Sequence, residues 1–190
     1  MSTLSETISD ALARLGPAIA DRLRDIVGEL GSLNLGEVDR LSALATALAA
    51  VAANHHTRHK PVYLEAVRSW SLEISVGLAP APVRLSAFSD EGAIEEGAEI
   101  LIAGLDGMLD ALAHEAATLQ DRLVLELAMF ARLLGQHDAN AVHLTLMAVA
   151  DTLADENFRP GLAVLVPLGE TVVPLDRDAC LATVAARGVA

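Results

Sequence analysis

Apolar residues recur along most of the chain at steps of three and four. Leu4, Ile8, Leu12, Leu15, Ile19, Leu23, Ile26 and Leu30 form one such stripe. Its 4-4-3 rhythm is that of an 11-residue helical repeat rather than a heptad. Gly16-Pro17 interrupts it. Proline inside a helix removes a hydrogen bond and clashes with the preceding turn, so the stripe predicts a helix with a kink or a short break there. Gly31 is the expected C-terminal cap. A second helix is predicted over 37–54, with Val38, Leu41, Leu44, Leu48 and Val51 inward, and Pro61 suits the first position of a third. Residues 91–112 carry Ile94, Ala98, Ile102, Leu105, Leu109 and Leu112 on one face, behind a cap at Ser89 or Asp90. Residues 115–135 repeat the pattern with Leu119, Leu123, Leu127, Phe130 and Leu134, and residues 139–155 with Val142, Leu146, Val149 and Leu153. Gly97, Gly104 and Gly107 each weaken their helix by up to about 1 kcal/mol relative to alanine. Close approach of a neighbouring helix is a reason to keep them.

Two regions break this rhythm. Trp70, Leu72, Ile74 and Val76 alternate with Ser69, Ser71, Glu73 and Ser75, the period of a half-buried strand over 69–76. The alternative continues the helix from Pro61 with Leu64, Val67, Ile74 and Leu78 inward. It places Ser71 in the apolar stripe, so the strand is preferred. A short strand over 83–87 follows Pro80-Ala-Pro82, and strands at 162–168 and 171–175 flank Gly169-Glu170, a type II′ hairpin signal. Asp178 then caps a short last helix. A lone hairpin is marginal in water, so these strands are expected to pair in one small antiparallel sheet. The expected fold class is α+β, predominantly α: a bundle of about five to six helices with that sheet, in one domain over 1–190. The hairpin and short helix at 161–190 form its C-terminal part.

Composition narrows the function. A chain of 190 residues suits one domain. Aromatic residues are 3% of it, which favours close helix packing over a sandwich or barrel. One cysteine excludes an intramolecular disulfide framework and a CxxC-type zinc site. A net charge of -13 argues against nucleic acid as a partner. The start of the chain has no basic segment followed by an apolar one, so no signal peptide is expected. The longest stretch without Asp, Glu, Lys or Arg, Leu41 to Thr57, is Ala-, Ser- and Thr-rich and reads as a buried helix rather than a membrane span. The expected location is the cytoplasm, with no membrane partner.

Charge is unevenly spread. Between Arg84 and Arg122 there is no Lys or Arg, while Asp90, Glu91, Glu95, Glu96, Glu99, Asp106, Asp110, Glu115 and Asp121 fall in that interval. Glu91, Glu95 and Glu99 share a helix face, as do Asp106 and Asp110. Like charges at that spacing repel by a few tenths of a kcal/mol each. The acidic face at 90–121, with Glu96 beside it, is the candidate surface for a basic protein partner. The plainer alternative is a solvated face that keeps an apolar protein soluble.

Two histidine groups are candidate metal sites. His55 and His59 are four apart, a spacing that clamps an ion when a third ligand such as His114, His143 or an acid joins them. They also suit a helix C-terminus, where basic side chains meet free carbonyls. Second, His114, His137-Asp138 and one of Asp176 or Asp178 resemble the H…HD…D ligand pattern of the metal-dependent HD phosphohydrolases, an all-helical family. The resemblance spans three or four residues. It implies divalent metals that activate water for phosphoester hydrolysis, with those side chains as ligands. Asp138 is also a natural N-cap for the helix that follows. Signatures of zincins, phosphate loops, dinucleotide folds and hydrolase elbows are missing, and Cys180 sits among Leu181 and Val184 as a structural thiol. The leading expectation is a non-enzymatic interaction or accessory protein, self-associating as a homodimer, with no cofactor. A metal-dependent hydrolase or His-based metal-binding protein is the alternative, and a carrier of an apolar ligand between helices is a third.

Overall fold

The computed structural model describes residues 3–14, 16–55, 60–78, 91–112, 118–156, 158, 164 and 166. Among them are seven helices: α1 (Leu4–Arg14), α2 (Pro17–Ser32), α3 (Glu37–His55), α4 (Lys60–Ser75), α5 (Glu91–Leu112), α6 (Leu119–Leu134) and α7 (Ala139–Ala154).

The long apolar stripe becomes α1 and α2, broken at the Gly16-Pro17 step. Pro17 opens α2, where its missing N–H is no loss. The end of α2 lies later than Gly31. The helix runs to Ser32, Leu33 closes it, and Asn34 takes the left-handed conformation at φ 53°. Thr118 and Asp121 start α6 through a reciprocal capping box, and Asp138 starts α7 by accepting the Asn140 N–H at 2.8 Å.

The core is organised around α3. Every residue from Leu41 to Ala52 is buried, on all sides of the helix. A helix apolar all round belongs in an interior, and here its alanines let neighbours close in on it. α5 and α7 pack on α3; α4 packs on α7, α1 on α6, and α2 on α5. Gly97 permits the α3–α5 approach, since a Cβ there would lie 3.2 Å from the Ala43 Cβ and 3.1 Å from Leu35 Cδ1. At Gly104 a Cβ would meet Ile26 of α2 at 2.5 Å. Gly107 has nothing within 4 Å of that position, so close approach explains Gly97 and Gly104 but not Gly107.

The expected β element is overturned where it can be seen. Residues 69–75 are the second half of α4, not a strand, and no residue among those described is in a strand. Tyr63, Val67, Trp70, Ser71 and Ser75 form the buried face of α4. Ser71 does lie in the stripe, as the helical alternative required, and it has a partner. His143 Nδ1 of α7 lies 2.9 Å from the Ser71 hydroxyl oxygen and 3.1 Å from the Ser71 carbonyl. Ser75 returns its hydroxyl to the Leu72 carbonyl at 2.7 Å. Once these hydroxyls are satisfied, the serines no longer argue for an outward face. The alternation over 69–76 was a coincidence of polar residues on a helix whose polar groups are paired. The strands expected at 83–87 and 171–175, and the helix after Asp178, lie outside the described residues. Of 162–168 only Val164 and Val166 are described, both buried. Their N–H groups go to helix hydroxyls rather than to a ladder: Val164 N–H donates to Thr46 Oγ1 at 2.8 Å, and Val166 N–H to Ser42 Oγ at 3.2 Å. Ser42 and Thr46, one turn apart on α3, thus receive alternate residues of the chain.

Candidate functional site

The exposed acids of α5 are the most distinctive surface the described residues present. Gly97, Ala98, Leu101, Gly104 and Leu105 are buried, so the inner face of α5 is committed to the core. Glu95, Glu96 and Glu99 are exposed on the other side, and no ion pair engages them among the described residues. Asp106 is half-buried and interacts within the protein, which separates it from that trio. Glu91 and Asp110 lie on the same helix, described here through their backbone alone. The trio is held at fixed spacing by the helix itself, which Gly97 and Gly104 seat closely on its neighbours.

Of the two histidine groups, only His137 and Asp138 have side chains among the described residues. No cluster of three or more His, Cys, Asp or Glu among the described residues is arranged to hold a metal. His137 and Asp138 diverge: the Asp138 carboxylate is turned back to cap α7, while His137 Nδ1 lies 3.6 Å from Glu37 Oε1 at the start of α3. Burial lowers the His137 pKa, Glu37 pulls it up, and Arg40 lowers it again, leaving it below the ordinary value. Two small cavities flank this corner, one of about 290 Å³ between α1, α2 and α6, the other of about 260 Å³ beside Trp70 and His137. His55 is the last residue of α3, and only its backbone is described. His59, His114, Asp176 and Asp178 lie outside the described residues.

Three polar side chains, two of them buried, escaped the sequence reading as members of an arrangement. His143 sits between Val142 and Leu144, and its only partner in the sequence pattern was a hypothetical metal. In the structure it locks α7 to α4 through Ser71. The tautomer with its proton on Nδ1 satisfies both Ser71 oxygens. Burial holds its pKa below the ordinary value, against the Ser71 carbonyl, which raises it. Both residues are buried, and the pair packs α7 against α4. Glu126 occupies a stripe position of α6 beside Leu123, Leu127 and Phe130. It is fully buried, and burial pushes its carboxyl up to about 8. Arg122 Nε meets it at 3.1 Å. An acid in an apolar stripe was the visible signal. Glu73, on the α4 segment read as a strand, accepts the N–H groups of Leu4 at 2.9 Å and Ser5 at 2.7 Å.

An open groove of about 930 Å³ runs between α4 and the N-terminal half of α6, walled by Pro61, Val62, Ala66, Leu123 and Val124 and ending against Thr3 and Leu4. No helix among the described residues is long and apolar enough to cross a membrane. No protein-family model, curated protein or solved structure matches the chain.

Proposed function

We propose that this chain is a non-enzymatic interaction protein whose α5 presents Glu95, Glu96 and Glu99 to a basic partner. The observation that carries this reading is the contrast between the two faces of one helix. The inner face is seated on α3 and α2 through Gly97 and Gly104, while the outer face carries three exposed carboxylates without ion partners among the described residues. Exposed charge of one sign on a packed helix favours steering and register with a complementary surface. Self-association is the second part of the proposal and would use a different surface, the apolar groove beside Val62.

The test is binding of a Lys- and Arg-rich helical peptide at low salt, by titration calorimetry. Reversing Glu95→Lys, Glu96→Lys and Glu99→Lys together is expected to weaken binding at least about tenfold and to leave the melting temperature nearly unchanged, because these side chains are exposed. The control reverses three exposed acids elsewhere, Asp10→Lys, Asp151→Lys and Glu156→Lys, for the same change in net charge. Equal weakening by both triples would mean that net charge alone attracts the peptide, and the α5 surface would be discarded.

A further inference from the structure

We propose that α1 is a detachable strap: Glu73 clasps its N-terminus, it swings at Gly16-Pro17, and it opens and closes over α4 and α6 without unfolding the core. Its anchorage is unlike that of the other helices. Leu4 and Ser5, in its first turn, donate their N–H groups to the two oxygens of one carboxylate, at 2.9 and 2.7 Å, from a residue about 70 positions away. The local box at the same end is separate, Thr3 N–H to Glu6 Oε2 at 2.9 Å and Glu6 N–H to Thr3 Oγ1 at 3.1 Å. That box holds the helix together; Glu73 holds it down. A carboxylate accepting two backbone N–H groups at a helix N-terminus is a strong, charge-assisted pair of bonds.

The rest of the anchorage is thin. Of the 11 residues of α1, only Ile8 and Ala11 are buried, with Leu4 and Leu12 packed at the margin of the core. At its other end the chain turns at Gly16, which has nothing within 4 Å of a Cβ position and no side-chain cap to offer α2. A short helix of low burial, hinged at one end and clasped at the other, is the kind of unit that opens locally. The groove between α4 and α6 ends against Thr3 and Leu4. Lifting α1 therefore lengthens that groove along α6, the helix on which α1 lies.

Amide hydrogen exchange on the full chain tests this. Glu73→Ala is expected to speed exchange of the α1 amides from Ile8 to Arg14 by about 30-fold or more, the effect of losing two charge-assisted hydrogen bonds. The amides of α3 should keep their rates. Glu73→Gln, which retains an acceptor oxygen, should give a smaller acceleration. Glu65→Ala, on the same wall of the groove without a bond to α1, should change nothing. Unchanged α1 exchange in Glu73→Ala would show that the carboxylate is not the clasp. Acceleration of α1 and α3 by the same factor would show that α1 opens only with the whole molecule. Either result overturns the proposal.

Discussion

Replacing Ser42 by Ala and Thr46 by Val together should destabilise the fold by about 4 kcal/mol, because each substitution strips a buried N–H of its acceptor at about 1–3 kcal/mol. Thr46 Oγ1 accepts from Val164 N–H and donates to the Ser42 carbonyl at 2.7 Å. Valine keeps the shape of threonine and loses both functions. Ser42→Ala removes only the acceptor of Val166. The bonds lie one turn apart on α3 and hold one stretch of chain, so the two substitutions are coupled: each single variant weakens the bond that remains. Val164 and Val166 are themselves buried, so water reaches the orphaned groups only if the segment leaves α3 and exposes two valines. In a chain of this size about 4 kcal/mol lowers the melting temperature by roughly 10 °C. Calorimetry of the double variant is the measurement. A loss below about 1 kcal/mol would mean that these hydroxyls are incidental neighbours of the segment.

Glu126→Gln should blunt the loss of stability in alkali. Burial raises the Glu126 carboxyl from 4.5 to about 8. The folded protein therefore holds this proton over a range in which the unfolded chain has released it. The stabilising contribution is fully present below pH 4.5, declines above it, and is lost once the pH passes about 8. Arg122 at 3.1 Å offsets part of the penalty, so the loss between pH 5 and pH 9 is of the order of 3 kcal/mol. The histidines act at the other end. Burial depresses both His137 and His143, so their contribution is present above pH 6.5 and is lost as the pH falls through their lowered values. Urea unfolding of the natural chain is expected to show a maximum between these limits. In Glu126→Gln the acid limb should remain and the alkaline decline should shrink by about 3 kcal/mol. Parallel profiles for the two proteins would show that Glu126 ionises in the fold as it does in water.

The helices were legible wherever the signal was local. Apolar steps of three and four located α2, α3, α5, α6 and α7, and proline placed the α1–α2 break. Asp138 announced itself as an N-cap, and its carboxylate does accept the Asn140 N–H at the start of α7. What escaped the sequence depends on partners distant along the chain. Ser71 argued against a helix over 69–76 only while its partner, His143 from another helix, was unknown. Val164 and Val166 have the composition of a strand, but nothing local shows that their N–H groups meet Ser42 and Thr46. With 69–75 helical, the expected sheet also lost the first of its four strands. Glu73 and Glu126 carry the same lesson, since a carboxylate's task is set by what folding brings to it. On α5 the exposure of Glu95, Glu96 and Glu99 follows from the helical period alone, whereas the half-burial of Asp106 does not.

Residue-resolved amide exchange of the intact protein tests most directly that α3 is the axle on which the other elements are assembled. The amides from Leu41 to Ala52 should be the slowest in the chain and should exchange with the free energy of global unfolding measured independently in urea. Exchange of α3 at rates matching α1, well below that free energy, would contradict a core built around this helix.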